Sequence, residues 1–158
     1  MVSRISRIAA ACGAVALVAG VAIAAEKTPQ QLATEARQGL MDLIVWEAGP
    51  LFEMAKGDID YDAELATAKA ENLAALSRYA GESLFLPESS TEELGDATRA
   101  LPAIWEREED FHAAFDDLRE KAEDVVANAG KGQDELRAAV AKLGNSCGNC
   151  HESFRLKD

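Results

Sequence analysis

The spacing of hydrophobic residues predicts helices along most of the chain. The clearest stripe lies near the C-terminus, where residues recur at intervals of four, three, four, three and four positions: Leu136, Val140, Leu143, Cys147, Cys150 and Phe154. An earlier stripe has nearly the same period and comprises Ile104, Phe111, Phe115, Leu118, Ala122 and Val125. Such intervals place residues on one face of a helix, so each stripe predicts a helix packed in a bundle.

A further helix is predicted before these two. Thr28-Pro29 is a cap residue followed by proline at the first helical position, and apolar residues follow at helical spacing: Leu32, Ala36, Leu40 and Leu43. Gly49-Pro50 is expected to kink or end this helix. The pattern then resumes, and Lys56-Gly57-Asp58 is expected to close the segment.

The next segment also has the pattern of a helix. We expect Asp60 or Asp62 to cap it and Gly81 to end it. The residues predicted to face inward are Leu65, Ala68, Asn72, Leu76 and Tyr79.

A long connection separates the two halves of the chain, from Glu82 to Pro102. Phe85 and its leucine neighbours are expected to pack inward, and Ser89 to Asp96 to be exposed. Pro102 is expected to start the third helix, and Asn128 to Gly132 to form the last turn. Four helices with two short joins and one longer crossover predict an all-α fold, an antiparallel up-and-down four-helix bundle. No alternating pattern of a strand is evident.

The first 25 residues have the pattern of a cleaved signal peptide. Arg4 and Arg7 form a basic start, residues 8–24 are uncharged and rich in Ala, Val and Gly, and Ala22-Ile23-Ala24 is a small-x-small cleavage pattern. A membrane-spanning helix is the alternative, because the run is close to the lower length limit for one. We expect cleavage, a bundle domain over residues 26–158 and a periplasmic protein that has no membrane anchor after cleavage.

The charge of the chain limits its partners. Without Arg4 and Arg7 there are 14 basic and 28 acidic residues, a formal charge of −14. A surface this acidic argues against nucleic acid and anionic lipid. Of three cysteines, only Cys147 and Cys150 remain after cleavage. A disulfide between them would close a very small loop and stabilise little, so another use of the thiols is expected.

The motif Cys147-Gly-Asn-Cys150-His151 is the attachment signal of c-type haem. Its spacing presents both thiols and the imidazole of His151 to one object inside the bundle. Zinc would need four ligands, and a dithiol redox site usually follows a strand, so we favour one covalently bound haem c. The other histidine, His112, lies beside the hydrophobic stripe and is expected to be a solvated polar residue.

Only seven residues follow His151, so the group on the other side of the iron must come from an earlier helix. Met41 is the candidate, and it either bonds the iron or covers it without bonding; the direction of Met54, beyond Gly49-Pro50, cannot be read. Arg37 lies one turn before Met41 and is expected to pair with a haem propionate. Arg155 lies one turn after His151 and is expected to lie near the imidazole and tune the electronics of the iron.

These features resemble the cytochrome c′ family, the class II c-type cytochromes. The resemblance covers the whole mature chain and lies in CGNCHESFR at the end, RQGLM from Arg37 to Met41, the run from Asp96 to Trp105, and the order of the helices. It implies thioether bonds at Cys147 and Cys150, with His151 as the proximal ligand.

The resemblance also implies roles that the residues alone do not suggest. Arg37 and Gln38 would lie at the haem edge, Met41 over the distal face, and Thr98 and Arg99 at the mouth of the pocket. Typical members are periplasmic, often homodimeric, and have five-coordinate iron that binds nitric oxide or carbon monoxide. A low-spin branch uses the methionine at the position of Met41 as sixth ligand and acts as an electron carrier with redox partner proteins. No nucleophile–base pair can be placed from the sequence, so an enzyme is not expected.

Overall fold

The structure, a computed structural model, describes residues 26–79 and 82–157. The predicted signal peptide, residues 1–25, lies outside the described residues, as does Gly81, the predicted end of the second helix. None of the helices in the described ranges is long and apolar enough to cross a membrane.

Six α-helices are described, and four of them are long. In chain order they are α1 Pro29–Lys56, α2 Ala63–Tyr79, α3 Thr91–Leu94, α4 Ala103–Glu106, α5 Glu108–Asn128 and α6 Gln133–Phe154. The long helices pack in the cyclic order α1, α2, α5 and α6. The all-α four-helix bundle is therefore confirmed, and within the described ranges the β-structure consists of one isolated bridge between Ala100 and Arg155.

α1 begins at Pro29 and ends at Lys56, as predicted, and it passes through Pro50. Thr28 caps it in a capping box, in which its hydroxyl accepts from the Gln31 amide and the Gln31 side chain accepts from the Thr28 amide. Of the two expectations for Gly49-Pro50, that it ends the helix is wrong, because the helix includes Pro50 and is capped by Gly57 in the left-handed conformation, with φ of 84°. Leu51 is fully buried directly after the proline, and this burial stabilises the continued helix.

The inward faces predicted for α1 and α2 are rotated from the true ones. Of the residues predicted for α1, Leu40 is buried, whereas Leu32, Ala36 and Leu43 are exposed; the other buried residues include Ala33, Arg37, Ile44, Ala48, Leu51 and Met54. In α2 the predicted Leu76 is half-buried, whereas Leu65, Ala68, Asn72 and Tyr79 are exposed; the buried residues are Ala66, Ala70, Leu73, Ala74 and Ser77. The buried face of α2 consists mostly of small side chains. The hydrophobic pattern therefore favoured the larger residues, which lie on the exposed face.

Two predictions about the connection and the third helix are also wrong. Ser89 and Ser90 are buried rather than exposed, because Ser89 accepts hydrogen bonds from Arg37 and Ser90 caps α3. The third helix is interrupted at Arg107, with φ of −131°, so that a short α4 precedes α5. The Arg107 guanidinium is 4.9 Å from the ring centroid of Phe154 and donates to the carbonyl of Ser153, which holds the interruption against α6.

The core is divided along the bundle. The hydrophobic stripes predicted for α5 and α6 are confirmed, with Phe111, Phe115 and Val125 buried on the first. One end is closely packed around the end of α1 and the start of α6, where Met54 and Leu136 are fully buried. The other end contains cavities and the C-terminal part of α6, and it is where the candidate site lies.

Candidate functional site

The C-terminal turns of α6 present both thiols and the imidazole of the motif to a common space. Cys147 and Cys150 are free thiols and half-buried, and His151 is exposed. All three line an apolar cavity of about 300 Å³ between α1, α5 and α6. Helical spacing accounts for this, because residues three and four apart share one face.

A second cavity of about 350 Å³ adjoins the first and is more polar at its mouth. Met41, Val45, Phe115, Cys150 and His151 line both cavities, which makes them parts of one site. α1 supplies one wall and α6 the other, while aromatic rings of α5 and the connection form the floor. Phe85, from the connection, packs edge-on against Phe111 and Phe115 at centroid distances of 4.7 and 5.6 Å.

The residues of this site fit a haem. Its walls are apolar, two thiols face it at the spacing that thioether attachment uses, and an imidazole lies next to them. Val45 is apolar, lines both cavities and is 69% exposed, so a flat apolar group in the site would cover it. Val45 was missed by the sequence analysis, although its position four residues after Met41 was a usable signal.

Burial shifts the pKa values of the three motif side chains toward their neutral forms. It raises the pKa of Cys147 and raises that of Cys150 to about 11, with Cys147 as a second cause for Cys150. The pKa of His151 is lowered, first by burial and then by the positive charge of Arg155. A neutral imidazole is the form that binds metal, so Arg155 favours His151 as a ligand.

Arg37 is the buried cation of the site, with 5% of its surface exposed. Its guanidinium donates to Ser89 Oγ at 2.9 Å, to the Ser89 carbonyl at 2.7 Å and to Thr98 Oγ1 at 2.6 Å. It also lies 5.4 Å from the ring centroid of Phe85. All these partners are neutral, and no carboxylate of the described residues forms an ion pair with it. Burial lowers its pKa, so an anion in the larger cavity, which Arg37 lines, would stabilise its charge.

The other predicted residues meet at the mouth of the larger cavity. Gln38 donates to the carbonyl of Ala97 at 3.0 Å, and the Arg99 guanidinium donates to the carbonyl of Leu156 at 2.6 Å. Arg99 and Arg155 line the cavity, whereas Thr98 is buried behind it and contacts Arg37. Backbone hydrogen bonds between the segment around Arg99 and the residues after α6 hold the two sides of the mouth together.

The two methionines have different surroundings. Met54 is fully buried in the packed end of the bundle, where its sulfur accepts from the Asp62 amide at 3.4 Å. Met41 is partly buried and lines both cavities from α1, across from α6, which carries His151. Met41 is therefore the methionine that belongs to the site.

Most of the chain matches known proteins. A family model described as Cytochrome C′ matches residues 32–155. The chain is 44% identical over 124 residues to cytochrome c-554 of Cereibacter sphaeroides, which covers 78% of this chain and 92% of that protein. The solved structure of cytochrome c′ from Rhodobacter spheriodes has a TM-score of 0.79 at 39% identity and covers 82% of this chain and 98% of that chain. A nitric oxide complex of a cytochrome c prime mutant from Alcaligenes xylosoxidans has a TM-score of 0.72 at 29% identity and covers 84% of this chain and 100% of that chain.

Proposed function

Since the chain belongs to the cytochrome c′ family and is a c-type haem protein, we propose that its iron binds small diatomic gases, nitric oxide and carbon monoxide. When bound, the haem would supply an iron that can take up such a gas. Cys147 and Cys150 would hold one haem through two thioethers, and His151 would be the protein ligand of the iron. Arg37 would pair with a propionate.

The observation that carries this proposal is the apolar lining of the smaller cavity across from α6. Ile44, Val45, Ala48 and Phe52 line it without any ligand atom, and Met41 is the one residue of α1 there that has a sulfur. A neutral diatomic gas needs an uncharged, water-poor space of this kind, and a thioether is a weak ligand. The solved relative that contains nitric oxide supports the same use.

Absorption spectroscopy of the purified ferrous protein tests the proposal directly. Carbon monoxide should bind readily, and Met41→Ala should leave the spin state unchanged while making gas binding easier. Denaturation in acid and organic solvent should leave the haem on the polypeptide, whereas a variant lacking Cys147 and Cys150 should not retain it. Free haem in the extract of the native protein would contradict covalent attachment.

Met41 is the reason to keep a second candidate function, that of an electron carrier. Its side chain is flexible and lines both cavities, so a change of rotamer would bring the sulfur to the iron as a sixth ligand. The protein would then be low-spin and exchange electrons with redox partner proteins. A sulfur–iron band at about 695 nm that disappears in Met41→Ala would establish this alternative and exclude an open site.

The basic, apolar and small-residue pattern of residues 1–25 supports a periplasmic location after cleavage. Intact mass of the protein from the periplasmic fraction should equal the chain from about Ala25 or Glu26 plus one haem. A product that retains Met1 and stays with the membrane would contradict this location.

We also propose a homodimer that forms through the outer face of α1 and α2. Leu43, Trp46, Leu65 and Tyr79 are apolar or aromatic and exposed there, with Trp46 at 69%. Lys69 of α2 lies 3.1 Å from Glu47 and 5.5 Å from the ring centroid of Trp46, both on α1, so the two helices share this part of the outer face. Exposed apolar patches of this kind are typical of protein interfaces.

A further inference from the structure

A solvent-facing groove on the outside of the bundle extends to Cys150, one of the two cysteines of the haem-attachment motif. It has a volume of about 290 Å³ and lies between α5 and α6, where its lining includes Asp110, Ala114, Asp117, Ser146 and Cys150. Ala114, Ser146 and Cys150 also line the smaller haem cavity. The groove and the haem cavity are therefore separated by little more than these three side chains.

The surface around this groove is strongly acidic. Residues 106–117 include six carboxylates and one basic residue, Arg107. Asp110 and Asp117 line the groove itself. Arg107 lies 3.7 Å from Asp110, and Lys121 lies 3.3 Å from Asp117, so each lining carboxylate has one cation at its side. The remaining carboxylates leave a negative field over the groove, which attracts cations from solution.

Ser146 gives the groove an unused hydrogen-bonding group. Ser146 lines the groove and is 4% exposed, and its hydroxyl has no hydrogen-bond partner of normal geometry among the described residues. It faces Asp117 closely enough to lower the pKa of that carboxyl. A buried hydroxyl without a full partner is costly, so Ser146 holds its hydroxyl toward Asp117, and an ammonium group that enters the groove would donate to that carboxylate.

We propose that this groove is the docking site of a redox partner protein that has a lysine-rich surface. A lysine ammonium of the partner lies against Asp117, next to Cys150, and one electron crosses beside the haem attachment at Cys150. The ferrous protein loses one electron and becomes ferric, while an oxidised partner gains it; the reverse direction uses the same contact. This rests on haem attachment at Cys150, but not on gas binding.

Two small redox reagents of opposite charge test the site without a known partner. Hexaammineruthenium(III) is a cation and ferricyanide is an anion, and each takes one electron from the reduced protein. The double variant Asp110→Asn/Asp117→Asn should slow the reaction with the cation by about threefold or more at low ionic strength, and the difference should vanish above about 0.5 M salt. The reaction with ferricyanide should become faster.

The matched control is Glu53→Gln/Glu71→Gln, which removes the same charge from exposed positions on α1 and α2. Rates are compared after correction for any change in midpoint potential. If both double variants slow the cation equally, only net charge matters and the docking site is excluded.

Carbodiimide cross-linking to a hexalysine peptide gives a readout that is independent of electron transfer. Mass spectrometry of the holoprotein should place the links at Asp110 and Asp117, and Ser146→Ala should reduce them without changing the net charge. Links that form mainly at other carboxylates would overturn the proposal. An unchanged carbon monoxide spectrum in every variant separates this result from failure of the gas-binding function.

Discussion

Arg37 on α1 donates a hydrogen bond of 2.6 Å to the hydroxyl of Thr98, 61 residues further along the chain. Two more bonds join the same guanidinium to Ser89, so one buried cation attaches the long connection to the first helix. Arg37 therefore shapes the mouth of the haem cavity from the protein side and offers its charge to the cavity at the same time.

The first prediction concerns this contact. Arg37→Ala should destabilise the haem-loaded protein by about 3 kcal/mol, because it leaves buried acceptors at Ser89 and Thr98 unpaired. Thr98→Val should cost about 1–2 kcal/mol, and the double variant less than the sum. Urea unfolding followed by circular dichroism measures all three. Gln38→Ala is the control, since its side chain is exposed, and an Arg37→Ala protein no less stable than this control would contradict the role.

A second prediction concerns Pro50, which lies inside α1 and cannot donate to the carbonyl of Trp46. Pro50→Ala restores that donor and should stabilise the protein by about 1–3 kcal/mol. Pro29→Ala is the matched control, because proline at the first helical position loses no hydrogen bond, and its effect should be small. Thermal unfolding of both variants decides the matter; a lower melting temperature for Pro50→Ala would mean that the bundle depends on a bend at this position.

Gly144 carries the third prediction, because a Cβ there would lie 3.3 Å from Cε1 of Phe52 beside the haem cavity. Gly148, on the same helix, has no atom within 4 Å of a Cβ. Gly148→Ala should stabilise the helix by about 0.5–1 kcal/mol, and Gly144→Ala should gain less because the Phe52 ring must move. Gly144→Val should be destabilising and alter the haem absorption bands. Equal stabilisation by alanine at both positions would show that Phe52 moves freely.

The lowered pKa of Asp117 provides a fourth prediction. The Ser146 hydroxyl is the first cause that lowers this pKa, followed among the favourable groups by Lys121, while burial opposes them. Ser146→Ala should therefore raise the pKa of Asp117. A carboxyl whose pKa is lower in the folded than in the unfolded protein stabilises the fold above its unfolded pKa. This stability is lost as the pH falls through the folded pKa. The native protein should therefore lose more stability in acid than the variant does. A nuclear magnetic resonance titration of the ferrous carbon monoxide form measures the pKa, and an unchanged value would exclude the contact.

The fifth prediction tests the homodimer. Leu43→Asp places a charge on the outer face of α1 and should weaken association at least about tenfold, because a buried unpaired charge is costly in an interface. Ala113→Asp adds the same charge at an exposed position of α5 and should leave association unchanged. Sedimentation velocity over a range of concentrations compares the two. A native protein that remains monomeric at all concentrations would contradict the interface itself.

The features that the sequence predicted correctly depend on residues close together in the chain. The cap at Thr28 uses Gln31, and the cap of α2 at Asp62 uses the amides of Glu64 and Leu65. The stripes of α5 and α6 were recognised because large residues form them, as at Phe115 and Leu143. Haem binding likewise follows from a motif of five consecutive residues, Cys147 to His151.

The rotation of α1 and α2 was not predictable in the same way. The buried face of α2 consists largely of alanines, such as Ala66 and Ala70, which leave a weak pattern, while Trp46 of α1 and Tyr79 of α2 lie on the outside. Helical spacing identifies residues that share a face but does not say which face meets the neighbouring helices. Packing against α5 and α6 decides this.

By itself, the sequence determined the helical bundle, the attachment motif and the methionine and arginine of α1 that belong to the site. Only the tertiary structure decided that Arg37 contacts Ser89 and Thr98, that Val45 lines the cavities, and that α1 continues through Pro50. The physical reason is the distance along the chain between the residues that interact. Caps and helical faces arise from contacts within a few residues. The partners of a buried cation, and the tolerance of a proline inside a helix, depend on packing between segments far apart in the chain.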